Sequence, residues 1–220
     1  MAGQNLGYGR QSAAMSESDQ PRRSTYRRST GSARGEARRQ ELLARVTDDL
    51  AVNGLADFSL RRAARAAGTT HKVILYHFDG LEDLLRQALL ELRRRRVDNA
   101  LGAAATAQDT LAERIRAVWP ILQDDTSGLR VIDQAIGLAM YDPERYRHLA
   151  QDASEQYRGP LMALCPSDWA EQRKREVAEL ILATMRGFLA EWRTTRDASR
   201  VQSGLNALIR AIEREEAAIE

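Results

Sequence analysis

The sequence predicts an all-α fold, with an N-terminal helix-turn-helix domain of three helices followed by a larger α-helical domain. Three observations point there. Only 5 prolines interrupt 220 residues rich in Ala, Leu, Arg and Glu, the residues that lose least on entering a helix. Apolar side chains recur at three- and four-residue spacing from residue 35 onward. Between those runs stand Gly, Ser, Thr and Asp, where helix stops and caps belong.

Composition narrows the class further. With 43% hydrophobic and 29% charged residues the chain is neither a fibre nor disordered throughout. No run approaches the roughly 18 to 20 apolar residues of a membrane span. The opening MAGQNLGYGRQSAAMSESDQ lacks the apolar core of a signal peptide, so a cytoplasmic location and no membrane partner are expected. One cysteine, Cys165, cannot close an internal disulfide, and with three histidines it is too little for a conventional structural zinc site. Neither metal nor cofactor is expected. Charge is divided unevenly: residues 1–96 carry 18 basic and 11 acidic side chains, the remainder 15 and 20. A basic first part suits a polyanion, although arginine runs also form ordinary solvated faces.

The elements follow in order. Residues 1–33, with repeated Gly, Ser and Gln and the cluster PRRSTYRRSTGSAR, read as a disordered basic tail. In the segment after Gly35, Leu42, Val46 and Leu50 mark one helix face and Gly54 the stop. Ser59 caps a short helix LRRAARAA that Gly68 closes; Thr69 or Thr70 then caps HKVILYHF, broken at Asp79-Gly80. Residues 34–80 thus form one domain and 81–220 a second. The second opens with a long helix from Leu81 into the Arg93–Arg96 block. Residues 111–123 make a helix with a kink or break at Pro120, and 129–140 another. One helix is expected over 143–159, with Pro160 and Pro166 bracketing a short buried segment or turn. Two long helices, about 168–193 and 198–216, finish the chain.

Residues Ser59–Leu84 carry the chemistry. Ala63, Ala64 and Ala67 allow two short helices to approach closely, and Gly68 supplies the turn. The second helix would lie in a DNA major groove, with Thr69, Thr70, His71 and Lys72 meeting base edges and phosphates. A plain helical hairpin is the alternative. Asp48-Asp49 is an adjacent pair that does not share a helix face, and no Ser/His/Asp grouping, phosphate loop or paired catalytic carboxylates occurs, so no enzyme is expected.

The stretch S59-L-R-R-A-A-R-A-A-G-T-T-H-K-V-I-L-Y-H-F-D-G-L-E-D-L84 resembles the DNA-binding domain of the TetR family of transcriptional regulators. Ser59, Arg61, Ala64, Ala67, Gly68, Thr70, His77, Phe78 and Leu84 fall on matching positions. Three positions depart from the pattern. The usual phosphate-contacting Tyr aligns with Leu75, the aromatic standing one place on as Tyr76. Leu81 replaces a common Lys, and Ala63 a usual Ile. The phosphate contacts then fall to Lys72, the pair Arg61 and Arg62, or the tail.

The resemblance implies double-stranded DNA as partner, with His77 at the DNA backbone, and a homodimer on an inverted-repeat operator. The dimer would be a four-helix bundle built from the last two helices of each chain, on the stripes Val177, Leu180, Ile181, Thr184, Phe188 and Leu205, Leu208, Ile209, Ile212; both stripes could instead pack inside one chain. It also implies a small-molecule effector of unknown identity, with Trp119, Leu122, Ile136, Met140, Tyr157, Met162, Trp169 and Met185 as candidate contacts. The few charges within the apolar stripes favour a mostly apolar effector. The function expected is a repressor released from its operator by that effector. Two alternatives stand beside it: an effector-independent DNA-binding regulator, and a small-molecule-binding protein with a degenerate DNA-binding domain.

Overall fold

A computed structural model describes residues 32–106, 110–124, 128–150 and 153–218. Of the expected tail only Ser32 and Ala33 fall within them. The chain divides into two compact units, Met1–Ala37 and Arg38–Glu220. In the first, the described residues form the opening turns of a helix, with the Gly35 N–H donating to the Ser32 hydroxyl at 3.1 Å. Among the described residues there are ten helices and no strand. None of those helices is long and apolar enough to cross a membrane.

The helices are α1 (Ala33–Asn53), α2 (Leu60–Ala66), α3 (His71–His77), α4 (Leu81–Ala105), α5 (Leu111–Gln123), α6 (Leu129–Tyr141), α7 (Pro143–Ala150), α8 (Glu155–Leu164), α9 (Glu171–Thr195) and α10 (Ala198–Ala217). Two expectations are corrected. The helix expected over 143–159 is two helices, α7 and α8, with Ala153 buried between them. Neither Pro120 nor Pro160 ends a helix. Pro120 lies on the exposed side of α5 with three helical residues after it, and Pro160 sits inside α8.

Two apolar clusters fill the second unit. The first joins Leu42, Val46 and Leu50 of α1, Ala63, Ala64, Ile74 and Phe78 of the α2–α3 unit, and Leu84 to Leu92 of α4. It also takes in Val131, Ile132 and Ala135 of α6 and Leu149 of α7. The second joins α5, α9 and α10 through Ile115, Trp119, Ile181, Met185, Leu205, Ile209 and Ile212. At the α9–α10 crossing a Cβ on Gly204 would stand 2.5 Å from Phe188 Cε1, so the two helices touch there only because that residue has no side chain.

Helix α4, 25 residues and therefore roughly 37 Å long at 1.5 Å per residue, runs past both clusters. Its four consecutive arginines separate by face. Arg94 pairs with Glu91 and Asp98 on the surface, and Arg95 reaches Asp48 of α1 at 2.6 Å. Hydrogen bonds from Arg94 and Arg95 hold the Glu91 carboxyl below its ordinary value. Arg93 and Arg96, three residues apart and so on one face, turn inward and are buried. The Arg93 Nη2 donates to the Leu149 carbonyl at 2.6 Å, and Arg96 Nη2 to that of Leu122 at 3.2 Å. The run is a solvated face only in part.

Candidate nucleic-acid interface and cavity

The α2–α3 unit is set by local chemistry. The Ser59 hydroxyl accepts from the Arg62 N–H at 3.3 Å and caps α2. At the other end the Thr69 N–H donates to the Ala64 carbonyl and the Gly68 N–H to that of Arg65, a Schellman closure that needs the left-handed backbone Gly68 adopts at φ +62°. The Arg45 Nη1 donates to the Ala67 carbonyl at 3.2 Å and braces the turn from α1. Thr70 caps α3 through its backbone, accepting from the Val73 and Ile74 amides, with no bond from its side chain.

Burial then sorts the residues. Ala63, Ala64, Ala67, Ile74 and Phe78 face inward. Thr70, His71 and Lys72 are exposed with Leu75 on one side of α3, and Arg61 is exposed on α2; Thr69 is half-buried. Among these six residues Leu75, 47% exposed, is the one apolar member. Its side chain offers an apolar surface of the kind that can meet a thymine methyl.

Three candidates are placed differently. Arg62 points back into the fold: Nε donates to Asp49 Oδ2 at 2.7 Å, Nη1 to the Ala56 carbonyl at 2.7 Å and Nη2 to the Gly54 carbonyl at 2.8 Å, over the Phe58 ring. It fastens the α1–α2 connection. Tyr76 and His77 are half-buried and stack edge to face with ring centroids 4.9 Å apart. The His77 carbonyl accepts from Arg39 Nε at 3.3 Å, whose guanidinium lies over Phe78. Asp49, one of an adjacent acidic pair, is thus tied to Arg62, and the other, Asp48, to Arg95.

Beyond this head a cavity of about 740 Å³ lies among α4, α5, α6, α8 and α9, a volume in the usual range for a small-molecule site. Of the candidate effector contacts, Leu122, Ile136, Met140, Tyr157 and Met185 line it; Trp119, Met162 and Trp169 do not. Trp119 stacks edge-on to Phe188 at 6.2 Å and Trp169 lies under the Arg173 guanidinium at 4.2 Å, both inside the second cluster. The wall also carries Arg96, Arg186, Arg193 and Asp133, which apolar periodicity had passed over. A charged side chain in a helix stripe gives no sign in the sequence that it is inward. Ile181, taken for a dimer contact, lines the cavity too.

The other dimer candidates divide. Val177, Ile181, Leu205, Leu208, Ile209 and Ile212 are buried by their own chain. Phe188 and Thr184 are half-buried, and Leu180 is 52% exposed. Exposed beside Leu180 on α9 are Ala183, Gly187 and Ala190, and on α10 Ser203 and Ala207.

Compared by sequence, the chain matches no protein-family model and no curated protein. Solved structures do match over most of its length. A protein of Streptomyces coelicolor A3(2), named as a transcriptional regulator, is 26% identical with a TM-score of 0.61 and covers 79% of this chain and 96% of its own. A TetR-family transcriptional regulator from Cytophaga hutchinsonii gives a TM-score of 0.63 at 17% identity, over 83% of this chain and 96% of that one. The multidrug-binding protein EbrR, solved with proflavin, gives 0.59 at 21% identity, over 79% and 98%.

Proposed function

We propose that this chain, which has the fold of the TetR-family transcriptional regulators, is itself a DNA-binding regulator, a homodimeric repressor released from an inverted-repeat operator by a small molecule held in the cavity. The observation that carries this reading is the double membership of α6. Ile132 and Ile136 line the cavity and also pack in the cluster that holds the α2–α3 unit. Between them Gln134 Oε1 accepts from the Leu55 N–H at 2.8 Å, in the connection just before α2. A ligand that moves α6 therefore moves the support of the reading head. Binding of DNA and of effector are then linked equilibria, each weakening the other by the same factor.

Thr69, Thr70, His71, Lys72 and Arg61 are the groove-facing set in this reading, and Arg62 a positioning residue. Two recognition helices on one operator need two chains. The exposed small-residue side of α9 and α10, around Leu180, supplies the surface for the second copy, and the buried stripe supports it from behind. Selection of bound fragments from genomic DNA, followed by anisotropy on the selected site, tests the reading. Thr70→Ala and Lys72→Ala should each weaken specific binding by about 1–3 kcal/mol with an unchanged melting curve. Full operator affinity in both variants would overturn the assigned orientation. A Leu180→Glu chain that stays dimeric in sedimentation would overturn the assembly.

A further inference from the structure

The polar residues of the cavity wall are gathered in one cluster. Arg96 and the Tyr157 hydroxyl are hydrogen-bonded, and Arg96 lies within electrostatic reach of Asp133 and Arg193. The Arg186 guanidinium stands 5.6 Å from the Tyr157 ring centroid. All five groups line the same space, whose other members are aliphatic side chains, Met and Gly with Thr194.

The charges in this cluster do not balance. Three guanidiniums face one carboxylate, Asp133, which accepts from Arg193 Nε at 2.8 Å. Arg186 Nη1 donates to the neutral Ser154 hydroxyl at 3.1 Å, while its Nη2 is buried with no hydrogen-bond acceptor. Arg93, also buried, adds a further positive charge beside Tyr157. Burying a guanidinium donor without an acceptor is costly, and the cost is recovered when an anion arrives with matching geometry.

We infer that the cavity takes an amphipathic anion, a carboxylate head at Arg186, Arg96 and Tyr157 with an apolar body among Leu122, Ile136 and Met185. The inference rests on the reading of this cavity as the effector site and gives that effector its chemical class. Arg186 supplies the donor that lacks an acceptor, Arg96 a second guanidinium, and the Tyr157 phenol a neutral donor. Burial holds that phenol above its ordinary range, so at neutral pH it carries its proton and can donate it to a carboxylate. The apolar wall accounts for the earlier expectation of an apolar effector, and the arginines add the head group that it lacked.

The test is calorimetric titration of the full chain with decanoate, decan-1-ol and decyltrimethylammonium, which share one tail and differ in head charge. Decanoate should bind at least about tenfold more tightly than decan-1-ol, and the cation more weakly than either. Arg186→Gln should bring decanoate close to decan-1-ol without altering the alcohol, and Arg186→Lys should keep part of the preference. The wild-type series decides the matter even if a variant melts early. Decan-1-ol binding as tightly as decanoate would overturn the anionic head and leave the cavity reading standing. Absence of binding by all three would overturn the cavity reading as well.

Discussion

The α2–α3 unit and the bundle around the cavity are packed by opposite means. In the first, three buried alanines let two short helices approach closely and Gly68 makes the turn between them. In the second, Leu, Ile, Met and Arg side chains on longer helices leave about 740 Å³ unfilled. Small side chains have few rotamers, so the α2–α3 contact has less to rearrange. Large side chains around a void can repack, so the bundle can answer a ligand. Rigidity where sequence would be read and adaptability where a ligand would enter are thus products of side-chain size.

Substitutions can break or sharpen that contrast. The largest effect is expected at Leu205, buried between α9 and α10, where Leu205→Glu should cost about 3–5 kcal/mol in urea unfolding, because an unpaired charge has no route to water. The same change at Leu180, exposed on the single chain, should leave each chain folded and act instead on its pairing with a second copy, read as dissociation in sedimentation. If Leu205→Glu instead gave a stable folded monomer, the bundle would be looser at this seam than its packing implies.

Next come the adjacent arginines of α2. Arg62→Ala removes an ion pair and two bonds to backbone carbonyls and should lower stability by about 2 kcal/mol, whereas Arg61→Ala should leave it within about 0.5 kcal/mol. Equal losses would contradict the separation of the pair.

Overpacking compares the two regions directly. Ala63→Leu should destabilise by about 1–3 kcal/mol, because α2 and α3 have no room to part. Gly137→Ala, on α6 at the cavity, should stabilise by about 0.4–1 kcal/mol, since a Cβ there meets nothing within 4 Å and a helical glycine is replaced. Opposite signs in thermal melts are the expected result. The smallest effect concerns Cys165, whose thiol burial pushes up to about 11. At pH 8 a disulfide reagent should label it slowly in the native chain and at once in urea. Because the folded value lies above the unfolded one, its contribution to stability is complete below pH 9 and is lost as pH rises towards 11.

The legible parts of this chain are those whose causes are local. Ser59 caps α2 by reaching three residues ahead, and Gly68 closes it through bonds spanning at most five. The stripe of Leu42, Val46 and Leu50 repeats every turn. Such features fixed the all-α class, the position of the α2–α3 unit and the exposed set Thr70, His71 and Lys72 from the residues alone. Proline was less legible, because whether it breaks a helix or stands within one depends on its place along it: α5 and α8 both continue past theirs.

What only the tertiary structure decided are partners distant in sequence. Arg61 and Arg62 look alike in the chain, and one is exposed while the other is held by Asp49 and two carbonyls of the α1–α2 connection. Arg93 to Arg96 form a uniform run, yet two of them are buried against Leu149 and Leu122 and two pair on the surface. The apolar stripes of α9 and α10 could serve a second chain or their own; α5 and the α9–α10 crossing bury most of both, and Leu180 stays exposed. Periodicity assigns a side chain to a helix face. Which faces meet, and what a guanidinium finds when they do, is set by long-range packing, which no local spacing encodes.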